Sequence, residues 1–242
     1  MMSSHCHPRG APSCIASGTL IARCALALRT GSGTATCLLP ADEGMPARRL
    51  IGYSCRMLFH CLLEVLLSVK PDLVIGVTAI QHTSFQKIIE SLVKPDRIHI
   101  LELDSTLSAV RPPQRPCDVL VVTHVFGQDL DLSSLNESVR AQPGEPPLVV
   151  EDRCQGGSLR QRFSHDCVDI SINSMGMDKR PSALGGGYAD VRTVAIPFGG
   201  RQLWPLLVER VDALPQERPS ERAMTLLKCV PYWLGEQRPC MR

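Results

Sequence analysis

Aromatic residues are scarce in this sequence: five Phe, three Tyr and two Trp make up 4% of 242 residues. A core must therefore be filled by Leu, Val, Ile and Ala, and the apolar share of 44% is large enough to build one. Charge of one sign is not in excess either. The formal net charge is +2, and no run of Lys and Arg is interleaved with aromatics. That argues against a nucleic-acid binder, because phosphate backbones are held by clustered cations. No stretch reaches the roughly 18 apolar residues that a membrane-crossing helix needs. The best candidate, Met57 to Val69, is too short and contains His60 and Glu64. The 11 cysteines include no C-x-x-C pair and no Cys/His cluster at zinc spacing, and their odd number spoils a simple disulfide framework. They read as free or buried thiols of a reducing compartment. Nucleotide-binding parallel-sheet proteins carry G-x-G-x-x-G or G-x-x-x-x-G-K-S/T after the first strand, and neither occurs. Gly31-Ser32-Gly33 has no strand before it.

What is present falls into three stretches. Residues 1–48 hold Arg9, Arg23 and Arg29, many Ser, Thr, Ala and Cys, and no acid before Asp42. This composition resembles an organellar transit peptide, or else an unstructured extension, and it shows no helical or strand period. The expected compartment is cytoplasmic, or organellar if that segment is a targeting signal. From Gly52 the pattern becomes regular. Tyr53 to Val69 reads as a helix with Leu58, Leu62, Val65 and Leu66 on one face, ended by Pro71. Ser84 to Leu92 and Ser133 to Ala141 read as further helices. Leu73 to Thr78, Ile98 to Leu103, Asp118 to Thr123, Leu148 to Glu151, Val168 to Asn173 and Tyr188 to Val191 read as strands. Most of these strands are apolar throughout, as expected where both faces are covered. Strands alternating with helices predict a three-layer α/β/α domain with a mostly parallel sheet over residues 49–200. In such sheets ligands sit at the carboxyl ends of the strands. Leu203 to Leu214 and Arg222 to Cys229 read as helices in a last stretch, residues 201–242, interrupted by Pro215, Pro219 and Pro231.

Three clusters carry chemistry. The first is Glu151-Asp152, just past an apolar strand, followed by Gln155 and Gly156-Gly157. An acid there is a ligand-facing group or a turn former. The second is Ser174-Met175-Gly176-Met177-Asp178-Lys179, after the strand that ends at Asn173. The third is Gly185-Gly186-Gly187, which lets the backbone turn sharply or approach something closely.

The order strand-Asp-x-x-Gln, strand-Ser-x-x-x-x-Lys, glycine run resembles the DegT/DnrJ/EryC1 family of sugar aminotransferases, within the fold-type I enzymes that use pyridoxal 5'-phosphate (PLP). Thr123-His124-Val125-Phe126-Gly127, with Asp131 to Leu135, looks like the family's strand-loop segment before the acid. Gly52-Tyr53-Ser54-Cys55-Arg56 looks like its phosphate-side loop. The resemblance covers about Gly52 to Val191. It implies the large domain of that fold, with Lys179 holding PLP as an imine and serving as general acid/base. It further implies Asp152 against the ring nitrogen, Gln155 at the ring hydroxyl, and Ser174, Ser54 and Cys55 at the phosphate. His82 is the one ring available to stack on the cofactor. The implied partners are an amino donor, a keto acceptor and a second copy of the chain. The implied reaction moves an amino group to a keto-sugar or small ketone. Family members continue into a small C-terminal domain, of which residues 201–242 would hold only the helical start. Two other readings stay open: a fold-type I lyase or decarboxylase using the same Lys179 and Asp152, and a catalytically silent large-domain remnant acting as a binding module.

Overall fold

Strands β5 (Val119–Thr123) and β6 (Leu148–Asp152) are buried at every position. A strand that is buried on both sides must lie inside a sheet with cover on each face, and the architecture follows from that requirement. The computed structural model describes residues 35–38, 47–124, 126, 128–141, 144–155, 162–175, 186–192 and 197–214. The remaining strands are β1 (Ala35–Leu38), β2 (Ala47–Gly52), β3 (Ile75–Thr78), β4 (Ile98–Leu101), β7 (Ile170–Ser174) and β8 (Gly187–Arg192). With β5 and β6 they make an eight-stranded sheet of order β1-β2-β8-β7-β6-β5-β3-β4. The block from β4 to β7 is parallel, β8 runs antiparallel between β7 and β2, and β1 pairs antiparallel with β2.

Side-chain alternation splits the strands between two cores. Val119, Val121, Leu148, Val150, Ile170 and Ile172 join one cluster, with helices α1 (Cys55–Val69), α2 (Thr83–Leu92) and α4 (Leu203–Asp212). Leu120, Val122 and Val149 join the other, with Leu135 and Val139 of α3 (Ser133–Ala141). This is the three-layer α/β/α arrangement with a mostly parallel sheet. Helix α1 is the centre of the first layer: Cys55, Leu58, Phe59, Cys61, Leu62, Leu63, Val65 and Leu66 are all buried. Its Phe59 stacks on Phe85 of α2 at 4.4 Å between ring centroids. The C-terminal end of α1 is tied to the sheet by Lys70, whose Nζ donates to Asp118 Oδ1 at 2.7 Å, while Asp118 Oδ2 accepts the Val74 N–H at 2.9 Å.

Two stretches differ from the sequence reading. Residues 1–48 were expected to be irregular, yet β1 lies within them and β2 begins at Ala47. The apolar signal of β2 is masked by Arg48 and Arg49, and Arg49 meets a counter-charge on β8, Asp190. Helix α4 was assigned to the start of a second domain. Its Leu203, Leu207 and Val211 instead belong to the same core as α1 and the sheet, because an apolar face of that size has to be buried against something and α1 offers one. A short hairpin, β9 (Pro197–Phe198) with β10 (Arg201–Gln202), leads into α4. The helix read at Arg222 to Cys229 lies outside the described residues. Among the described residues, no helix is long and apolar enough to cross a membrane.

Candidate functional site

Register brings the ends of four strands to one edge of the sheet. Asp152 closes β6 opposite Ile172 of β7, Ser174 closes β7 opposite Gly187 of β8, and Gly187 pairs with Gly52 at the end of β2. The chain leaves β2 there and starts α1. Ser54 caps the helix with an extended backbone, its Oγ accepting the Met57 N–H at 3.1 Å. That leaves the hydroxyl proton free to donate. Cys55 is the first helical residue, and the first turn holds no acid, so its free N–H groups and the helix dipole favour an anion.

Two of the glycines set the spacing. A Cβ on Gly187 would lie 2.3 Å from the Cys55 nitrogen, so β8 can press against the start of α1 only as glycine. Gly186 adopts φ +92°, a left-handed conformation that side chains rarely take, and bridges to Ser54. The third glycine of that run, Gly185, lies outside the described residues, as does Lys179.

Asp152 is 2% exposed. Its Oδ1 accepts the Cys154 N–H at 2.9 Å. Burial pushes its carboxyl above the usual carboxylate range, against the pull of the Cys154 hydrogen bonds and of the nearby His124 and His82 rings. Among the described residues, no Lys or Arg forms an ion pair with it. Ser174 is half-buried at the end of β7, and its hydroxyl favours the Cys55 thiolate. The Cys154 thiol draws the Cys55 thiol below its ordinary value, and Cys55 drives Cys154 above. Four of the expected residues, Ser54, Cys55, Asp152 and Ser174, are thus gathered at one edge. His82 is exposed and caps α2, its Nδ1 accepting the Ser84 N–H at 3.2 Å. Gln155 is exposed on the turn after Cys154.

The sequence reading did not single out Cys154, nor a buried network on the opposite face of β6. Alternation deals Glu151 and Asp152 to opposite sides. Glu151 is fully buried and accepts the Ser164 N–H at 3.2 Å. His124, also fully buried, takes the Leu130 N–H on Nδ1 at 2.8 Å, so its own proton sits on Nε2 and is donated to Glu151 at 3.0 Å. Burial pushes the Glu151 carboxyl up, but the His124 contact, Ser164 and the charge of Arg153 outweigh it and hold it below the usual range. Arg153 in turn donates to Asp129 at 3.1 Å. The visible signal was an acid pair ending a wholly apolar strand. Among the described residues there is no group of three or more His, Cys, Asp or Glu that could hold a metal ion.

No family model matches the sequence, and no curated protein does. Solved structures do match. An aminotransferase from Psychrobacter cryohalolentis superposes with a TM-score of 0.51 at 13% identity, over 65% of this chain and 40% of that one. An aminotransferase from Streptoalloteichus hindustanus gives 0.46 at 17% identity, over 83% and 51%. A sugar aminotransferase from Micromonospora echinospora gives 0.44 at 19%, over 84% and 52%. The chain therefore spans about two fifths to one half of the length of these proteins. The Psychrobacter match establishes the fold: this chain has the α/β fold of an aminotransferase.

Proposed function

We propose that the chain is the cofactor-binding part of a PLP-dependent aminotransferase, with a keto-sugar or small ketone as amino acceptor. The observation that carries this reading is Asp152, a buried carboxylate at the carboxyl end of a parallel strand with no Lys or Arg paired to it among the described residues. A buried charge without a partner is costly, and a protonated ring nitrogen is the kind of cation that would relieve it. The other residues at this edge fit the same ligand. The acid-free first turn of α1, with Ser54 and Cys55, and Ser174 across from it would hold the phosphate. Gln155 on the adjoining turn would reach the ring hydroxyl. Lys179 would hold the cofactor covalently.

Bound there, the cofactor would supply an electron sink for charge developing on a substrate carbon. The chain's own residues would do the rest. Asp152 would stay anionic against the positive ring nitrogen, since a nearby cation lowers a carboxylate pKa. Cys154 would orient that carboxylate through its N–H. The Lys179 amine would take a proton from the substrate carbon and return it. The partners that go with this reading are an amino donor, a keto acceptor and a second copy of the chain.

The test is visible absorbance of the purified chain with PLP, followed by borohydride reduction and peptide mapping. The expected result is a yellow band whose reduced adduct maps to Lys179. The band is absent in Lys179→Ala and weakened in Asp152→Asn, in which the ring nitrogen loses its anion. A wild-type chain without the band, or with an adduct on another lysine, overturns the reading. Amino exchange with glutamate then separates a transaminase from a lyase or decarboxylase.

A further inference from the structure

Thr123 closes β5, the strand beside the one that ends in Asp152, and the fold leaves its hydroxyl without a use. The residue is 3% exposed. Its Oγ1 is buried and has no hydrogen-bond partner among the described residues. Its N–H is taken: it donates to Thr78 Oγ1 at 3.1 Å, and the Thr78 hydroxyl donates in turn to the Ile80 carbonyl at 3.1 Å. A buried hydroxyl with no partner is costly. Val has nearly the same shape, suits a buried strand and would avoid that cost. The rest of β5 does use apolar residues, Val119, Leu120, Val121 and Val122.

Register places the hydroxyl beside the candidate site. Thr123 and Asp152 are partners across the parallel ladder of β5 and β6. Val119 and Val121 pack in the core under α1, and alternation puts Thr123 on that same face. Leu148 and Val150 fix the face of Asp152 in the same way. The two side chains therefore stand next to each other at the carboxyl edge, on the face that α1 covers. They are not bonded to each other: Asp152 Oδ1 takes the Cys154 N–H, and Thr123 Oγ1 takes nothing. Asn136 Oδ1 and Gln81 Oε1 are also without partners. Asn136 belongs to α3, which covers the opposite face, and Gln81 follows β3, a strand further from Asp152.

We propose that Thr123 is a further cofactor-binding residue, its hydroxyl donating to the ring hydroxyl oxygen of PLP while Asp152 faces the ring nitrogen. The inference rests on the cofactor reading above. Neighbouring strands lie about 4.8 Å apart. On the pyridine ring a single carbon separates the nitrogen from the carbon that bears the hydroxyl. Side chains on adjacent strand ends therefore suit these two edge positions of one flat ring. A hydroxyl oxygen accepts more than one hydrogen bond, so Thr123 acts together with Gln155 and not in its place. In the free chain the Thr123 hydroxyl is a cost, and in the loaded chain it is a contact.

The test compares the full chain with Thr123→Val and Thr123→Ser, with and without PLP. Without PLP, the urea midpoint of Thr123→Val should equal or exceed that of wild type, because an unpaired buried hydroxyl has been removed. With PLP, the Kd of Thr123→Val, read by titrating the visible band, should rise about tenfold, whereas Thr123→Ser, which keeps the hydroxyl, should stay within about threefold of wild type. The probe 3-deoxypyridoxal 5'-phosphate lacks the ring hydroxyl. Wild type and Thr123→Val should bind it alike, as read from borohydride-trapped Lys179 across a titration. A purely structural Thr123 would instead lower the midpoint and weaken both ligands equally. A Thr123→Val midpoint clearly below wild type overturns the proposal, and so does equal loss of both ligands. PLP bound by Thr123→Val as tightly as by wild type overturns the Thr123 assignment alone. A wild-type chain with no band overturns the cofactor reading, and this inference with it.

Discussion

At the scale of single residues, burial decides what a carboxylate does in this protein. Glu151 and Asp152 are adjacent, yet the first is held low by His124, Ser164 and Arg153, and the second is pushed up by burial, with no Lys or Arg paired to it among the described residues. Asp169, at the head of β7, is a third case. It accepts the Val149 N–H at 2.8 Å, and burial raises it to about 6 against the opposing pull of that N–H and of Arg192. A carboxyl whose pKa is higher folded than unfolded binds a proton more tightly in the folded state. Its contribution to stability is therefore complete below the ordinary carboxylate value and is lost as pH rises through about 6. The ceiling is about 3 kcal/mol, from about 1.4 kcal/mol per pKa unit. Asp169→Asn keeps an acceptor for Val149 but cannot titrate. Urea unfolding of the two proteins between about pH 4 and about pH 7 should show wild type losing stability relative to the variant. Parallel curves would mean that Asp169 titrates alike in both states.

At the scale of elements, what could be read from the sequence was what local pattern dictates. Helix α1 and strands β3, β5 and β6 carry continuous or periodic apolar residues, and their bounds fall within a few residues of those expected. Asp152 and Ser174 were legible because parallel strands deliver their last residues to a common edge. Strand β2 was not legible, since two arginines interrupt its apolar run. Arg49 is tolerated because Nε and Nη2 each meet Asp190 at 2.6 Å and its guanidinium lies 4.0 Å from the Tyr188 ring centroid. The partner is 141 residues away in sequence, beyond any window that reads a strand. Breaking such a buried pair strands a charge, at a cost of about 3–5 kcal/mol. Arg49→Ala should lower the urea midpoint by that amount, and Arg49→Met with Asp190→Leu should recover most of it. If Arg49→Ala costs under about 1 kcal/mol, the pair does not anchor β2 and the strand is held by its ladder alone.

At the scale of the whole molecule, one edge of the sheet collects the ends of β2, β6 and β7 and the start of α1, so any two devices built there must share space. The His124 network escaped the sequence reading because nothing in its spacing says that a His just past β5 meets an acid of β6. If the phosphate is held at the first turn of α1, it lies against Cys55 and shields it. PLP at saturation should then slow alkylation of Cys55 by a small thiol reagent at least about tenfold, which is about 1.4 kcal/mol of protection, and leave alkylation of Cys61, Cys117 and Cys167 unchanged. Alkylation of Cys55 at an unaltered rate would show that the phosphate sits away from Cys55 and that Ser174 and Ser54 hold it without the α1 thiol.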